Sequence, residues 1–292
     1  MGALIYYLVL PFIYLLSLLP FPVLYLFSDL LFPLFYYVIG YRKKVVFKNL
    51  RNAFPEKTDK EIKKIAMAFF HYLCDLFLET FKTLTISKET MLKHCAMDPD
   101  AEALFAKMAA ENKSIILVMG HMGNWEWAGN TFSLTCPQQL FVIYHPIANK
   151  YFNGLMHDMR SRFGSKLIPM KDTFRQMLAN RRIVNSTAFI ADQTPLPDNA
   201  YWTTFLNQET PVFKGTGLIA KKLNLPVIYV NIQRIKRGYY VLNAEMLIED
   251  PATLSEDDIT EMHTKRLEQD IIAQPETWLW SHKRWKHKRP VA

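Results

Sequence analysis

Cysteine is scarce in this chain: Cys74, Cys95 and Cys136 are the only three among 292 residues. An odd, widely spaced set excludes a disulfide scaffold, and the lack of any CxxC or Cys/His cluster leaves structural zinc without a sequence basis. The thiols are expected to stay reduced, facing a cytosolic redox poise. Glycine is nearly as thin, with 10 residues and none between Gly40 and Gly120. That excludes a collagen-like chain and predicts a helical first third. No GxSxG, HExxH, P-loop or GxGxxG occurs, so serine hydrolase, zincin and nucleotide-binding classes have no support. Disorder is excluded because half the residues are hydrophobic. Repeats, low-complexity stretches and linkers are missing too, which points to one domain behind whatever the amino terminus forms.

Charge is absent where it would matter for solubility. From Ala3 to Ile39 only Asp29 is charged, and Pro20 and Pro22 divide the run into two apolar halves. Each half, as a helix, reaches about 25 Å, short of a hydrocarbon core of roughly 30 Å. The expectation is a membrane anchor over residues 1–40: one short span followed by an interfacial or partly buried helix, with a shallow hairpin as the alternative. A cleaved secretory signal does not fit, since no base precedes the run and no small-x-small site follows it.

The net charge of +8 is concentrated in two segments that contain no acid. Arg42, Lys43, Lys44, Lys48 and Arg51 follow the apolar run; Lys283, Arg284, Lys286, Lys288 and Arg289 lie near the carboxyl end. Bases after the apolar run and none before it predict that the rest of the chain faces the cytoplasm. Trp278, Trp280 and Trp285 among the terminal bases suit a membrane interface or, equally, a core.

The remainder, residues 41–292, reads as α/β. A T-x-x-E capping box at Thr58 and Glu61 opens a long helix. Ile62, Ile65, Ala66, Phe69, Leu73, Leu76, Phe77, Phe81 and Leu84 fall on its apolar side, with His71, Asp75, Glu79 and Lys82 on the other. Short β-branched runs at 114–119, 140–145, 186–191, 226–232 and 239–244 alternate with helical stretches near 125–134, 149–163, 172–181 and 216–223. A last charged helix is predicted over 256–273. This alternation implies a mostly parallel sheet flanked by helices, with chemistry beyond the carboxyl ends of the strands.

One such strand end carries GHMGNWEW, in which His121 precedes Glu126 by five residues. With 8 histidines and 27 acidic residues in 292, composition alone would give about 0.7 cases of a histidine followed five residues later by an acid. The second pair, His263 with Glu268, sits mid-helix among charges, where a solvated face accounts for it. His121 instead lies between a strand and a predicted helix start. Free N–H groups there can hold an oxyanion, and Gly120 and Gly123 leave room for a substrate. A carboxylate on one ring nitrogen would fix the histidine tautomer, leaving the other to take a proton from an attacking hydroxyl.

GHMGNWEW resembles the H-x4-D/E motif of glycerolipid-type acyltransferases. The wider pattern is similar to the lauroyl/myristoyl acyltransferases of lipid A biosynthesis in Gram-negative bacteria. It takes in the apolar anchor, NLRNAFP from Asn49, YHPIANKYFNGLMHDMRSRFG from Tyr144, ADQTP from Ala191, FKGTG from Phe213 and PETWLWSHKRW from Pro275. The resemblance implies a glycerol-3-phosphate-acyltransferase-like fold in the inner membrane. It further implies transfer of a fatty acyl chain, from acyl carrier protein as the expected donor, to a hydroxyl of a lipid A precursor.

On that resemblance His121 is the general base and Glu126 its orienting partner, with no acyl-enzyme, metal or cofactor. Asn149 and Arg160 would hold phosphate or the acyl carbonyl, and Asp192 and Gln193 match an acidic strand-end motif. Gly123, Asn124, Lys214 and Arg284 complete the expected substrate-binding set. Two positions depart from the family pattern: His145 and Lys283 stand where arginine is usual, which leaves open another lipid acceptor. A lysophospholipid, aminolipid or other glycolipid would then take the acyl chain. A non-catalytic membrane protein binding anionic lipid is the remaining alternative; nucleic acid is not an expected partner.

Overall fold

A computed structural model describes residues 2–290. Residue 1 and residues 291–292, which the expected segments 1–40 and 41–292 include, lie outside the described residues. A seven-stranded sheet forms the centre, in spatial order β1-β9-β8-β2-β5-β3-β4. These strands are β1 (Cys95–Met97), β2 (Ile115–Met119), β3 (Gln139–Tyr144), β4 (Lys166–Pro169), β5 (Asn185–Ile190), β8 (Val227–Lys236) and β9 (Tyr239–Ile248). All pairings are parallel except β8 with β9. A separate hairpin joins β6 (Ala200–Phe205) to β7 (Gln208–Phe213).

Strand pleating sends alternate side chains to opposite faces, and β2 shows both being used. Ile116 and Val118 pack with α4 (Asp59–Lys82), α10 (Gly215–Leu223) and α11 (Glu256–Ala273). Ile115, Leu117 and Met119 pack with α5 (Lys88–His94), α6 (Pro99–Ala110) and α7 (Trp125–Thr135). All five β2 residues are buried, as expected for a central strand covered on both sides. The fold is therefore α/β, as the alternation in the sequence predicts.

The amino-terminal run forms α1 (Gly2–Leu18) and α2 (Phe21–Pro33), the latter continued by a π-helical turn, Leu34–Ile39. The 19 residues Phe21–Ile39, with mean hydropathy 1.6, are long and apolar enough to cross a membrane. Both helices lie against α4, and α1 also touches α8 (Lys150–Ser161). Only one narrow face is buried: Ile13 and Ser17 on α1, Leu24, Ser28 and Phe32 on α2. The other faces expose Leu4, Leu8, Phe12 and Leu15, then Leu26, Leu30 and Val38.

The capping box of α4 forms as predicted, with Thr58 and Glu61 bonded reciprocally. Asp75, Glu79 and Lys82, on the side opposite its apolar row, are buried too, because the α1–α2 pair covers them. A correction applies to α11. His263 does not lie on a solvated face: it is 3 % exposed, and its Nε2 has no hydrogen-bond partner.

Burial pushes His263 down to about 4 from its ordinary 6.5. Between those values the unfolded chain holds a proton that the folded chain lacks, so stability falls as pH drops through that window and is level above it. The loss amounts to about 3 kcal/mol by pH 4. Denaturant unfolding at pH 7 and pH 4.5 should show it, and His263→Met should flatten the slope. His282, also pushed down to about 4 chiefly by burial, keeps part of it. An unchanged slope in the variant would remove His263 as the source.

Candidate active site

β2 and β5 are adjacent and parallel, with Met119 opposite Ile190. Two residues further along each chain, His121 and Asp192 therefore emerge abreast at the carboxyl end of the sheet. His121 Nδ1 lies 2.5 Å from Asp192 Oδ1, and the His121 backbone N–H donates to Oδ2 at 2.8 Å. Trp278 Nε1 donates to the same oxygen at 2.8 Å. Burial alone would raise the Asp192 carboxyl, but the charge of His121 and these hydrogen bonds outweigh it and hold it at about 2. An ionised carboxylate accepts the Nδ1 proton, which leaves the Nε2 lone pair as the basic site. Gln193 Nε2 approaches that nitrogen at 3.4 Å, and the Trp125 ring stands edge-on to the imidazole at 5.1 Å.

The expected partner of His121, Glu126, is engaged elsewhere. Its two oxygens take a fork from Arg160, Nε at 2.8 Å and Nη2 at 2.6 Å. Burial would raise this carboxyl as well; the Arg160 charge and hydrogen bonds, helped by His121, keep it below the ordinary value. Five residues of separation across a turn and a helix start place Glu126 beside His121 without aiming it at the ring. Asp192 is 71 residues downstream and arrives through strand pairing.

The turn itself is tightly held. Gly123 has φ of +57°, and a Cβ there would lie 2.1 Å from the Ile232 carbonyl oxygen, so no larger residue fits. The N–H groups of His121, Met122 and Gly123 already bond to Asp192, Gly120 and Thr277. The turn thus offers fewer free donors for an oxyanion than the sequence suggested. Asn124 is fully buried; it caps α7 through Trp127 N and donates to Glu79.

A cavity of about 520 Å³ opens in front of His121. Trp125, Glu126, Arg160 and Gln193 line it near the imidazole, and His145 and Lys171 also border it. Val142, Ile143, Phe174, Phe189 and Ile219 supply apolar wall. The structure thus gathers His121, Glu126, Arg160 and Gln193 around one cavity, with Asp192 buried behind.

Five other expected residues do not reach it. Gly123 and Asn124 shape the turn from within. Asn149 caps α8, its oxygen taken by the Tyr151 and Phe152 N–H groups. Lys214, though flanked by cavity residues, points toward Asp257, 3.9 Å away. Arg284 is no surface base: it is 1 % exposed and donates to the Pro211 carbonyl at 2.6 Å. Trp278 and Trp280 are buried rather than placed at an interface, since residues 277–279 lie along the turn. Met122 bridges to Trp278, and Leu279 N–H donates to the His121 carbonyl. The role of Trp278 was missed; its signal, a tryptophan next to an apolar core segment, does not say which carboxylate it will meet.

Among the described residues no group of three or more His, Cys, Asp or Glu side chains is arranged to hold a metal. A comparison with curated proteins gives no match. A family model does match, over residues 2–287, which spans the apolar helices, the sheet and the carboxyl-terminal segment that closes on the turn. With that extent of agreement, the chain belongs to the bacterial lipid A biosynthesis acyltransferases.

Proposed function

We propose that this protein transfers a fatty acyl chain from an acyl thioester, with acyl carrier protein as donor, to a hydroxyl of a lipid A precursor. The observation that carries the reading is the His121–Asp192 pair facing an apolar cavity. The acyl chain would lie along Val142, Ile143, Phe174 and Phe189. The acceptor hydroxyl attacks the thioester carbonyl while His121 Nε2 takes its proton. The tetrahedral intermediate then collapses, expelling the thiolate, which receives the proton from the imidazolium. Asp192 holds the ring and stabilises its positive form, and no acyl-enzyme intervenes. Arg160, anchored by Glu126, and Gln193 are the donors nearest the developing oxyanion.

The exposed sides of α1 and α2 would lie in the lipid of the inner membrane, with the sheet on the cytoplasmic side. Ile147 borders the cavity and is exposed, two residues before Asn149, against which α1 begins. A lipid acceptor would then reach His121 directly from the bilayer. The two basic segments support this placement because they meet in space. Arg42 donates to the Ser281 carbonyl at 3.0 Å, and Asn49 to those of Trp280 and His282. Anionic headgroups and an acidic carrier protein would both be drawn to this surface.

The test is an assay of the purified chain in detergent with a lipid A precursor and either acyl carrier protein or coenzyme A thioesters. Mass spectrometry should show one added acyl chain. Deleting the gene should remove one acyl chain from cellular lipid A. Unchanged lipid A with altered phospholipids would instead favour another acceptor, the outcome that His145 and Lys283 leave open.

A further inference from the structure

The polar residues buried on α4 do more than seal its contact with α2. Tyr72, Asp75, Glu79 and Lys82 recur at three- and four-residue spacing and so share one face. The Glu79 carboxylate, fully buried, accepts from Tyr25 on α2 at 2.8 Å and from Asn124 beside the catalytic turn at 2.8 Å. Tyr240 on β9 supplies a third donor at 2.8 Å. The Glu79 backbone carbonyl takes Trp127 Nε1, and Tyr72 donates to the Gly123 carbonyl at 2.5 Å. One side of α4 thus fixes residues 123, 124 and 127, immediately after His121.

Its other contacts fix α2. Asp75 accepts from Ser28 at 2.6 Å and from Arg234 and Arg237, and Arg237 also grips Asp29. Tyr25 is seated against the β8–β9 turn so closely that a Cβ at Gly238 would fall 2.0 Å from its hydroxyl. Among the described residues, Glu79 is therefore the one carboxylate shared directly between a helix apolar enough to lie in lipid and the turn that presents His121.

We infer that Glu79 and Tyr25 are positioning residues for His121, so that the Tyr25–Glu79 contact of α2 sets the geometry of the catalytic turn. The inference rests on His121 being the base. A buried carboxylate with three donors keeps its place only while the donors stay. Withdrawal of Tyr25 leaves Glu79 under-satisfied and free to shift its hold on Asn124. A chain in which Tyr25 has left Glu79 would then fold but turn over slowly, tying activity to that one contact of α2.

The experiment compares full-length wild type, Tyr25→Phe, Glu79→Gln and Ser28→Ala in phospholipid nanodiscs. Two readouts are used: steady-state acyl transfer and amide hydrogen exchange over residues 120–128. Ser28→Ala removes a tie of α2 that does not pass through Glu79. Tyr25→Phe should lower kcat about ten-fold with KM within about two-fold, and speed exchange in the turn by a similar factor. Glu79→Gln should do the same more strongly, and Ser28→Ala should leave both readouts near wild type. Should Glu79→Gln fail to fold, Tyr25→Phe alone decides the matter, since it deletes a single oxygen. Unchanged turn exchange in Tyr25→Phe would overturn the inference, as would an equal effect from Ser28→Ala. Should wild type transfer no acyl group, the proposed function falls, and the exchange comparison still decides whether Tyr25 holds the turn.

Discussion

His121→Ala should reduce acyl transfer about 10³-fold, within the span of about 10² to 10⁴ usual for loss of a general base. The chain should remain folded and bound to membranes. His121 is at the cavity rather than in the core, and its side chain makes one strong contact, to Asp192. That carboxylate would keep two donors, the backbone N–H of residue 121 and Trp278 Nε1. Activity should also recover partly with added imidazole, since the substitution leaves a ring-sized space open to the cavity. Turnover assays with and without imidazole, beside a thermal melt, check both parts. Normal turnover by the variant would end the proposal that His121 is the base.

Asp192→Asn is expected to be at least as damaging, by about 10³- to 10⁴-fold in kcat. The carboxamide can still accept from Trp278, so the fold is preserved. Its NH₂ group, however, would donate to His121 Nδ1 and force the ring proton onto Nε2. The nitrogen facing substrate then has no lone pair to offer. Asp192, held at about 2, is ionised throughout the range in which such an assay runs, so acidification does not mimic the variant. Glu126→Gln provides the contrast. It loosens Arg160, the donor to the developing oxyanion, and should lower kcat by less than Asp192→Asn does, with KM little changed. Greater loss of kcat in Glu126→Gln than in Asp192→Asn would restore Glu126 as the orienting group.

The difference between these two carboxylates marks how far the sequence could be read. Local features were legible: the Thr58–Glu61 cap, the apolar strands, and α11 over its full predicted extent. The strand-end setting of His121 was legible for the same reason, because a buried run, a glycine turn and a helix start are consecutive. Its partner was not, since Asp192 becomes adjacent only through the β2–β5 register. Periodicity on α4 separated its two faces without saying what covers the polar one, because the covering helices are remote in sequence. The β6–β7 hairpin escaped notice for lack of glycine; Leu206 and Asn207 make its left-handed two-residue turn. Arg284 shows the same limit, a base in a basic run whose burial depends on Pro211 and Phe205 from that hairpin.

The carboxyl-terminal segment has a consequence for how the protein is made. Residues 277–279 bond to the turn at 121–123, and Trp278 reaches Asp192. Residues 277–279 are made well after the turn they complete, and chains are built at roughly 5–20 residues per second. During synthesis the apolar helices and most of the sheet therefore exist before the piece that finishes the turn. A nascent chain, or one truncated before Trp278, would have His121 but no finished carboxylate behind it. Competence thus arrives only once the chain has been made through Trp278, well after His121 itself is in place.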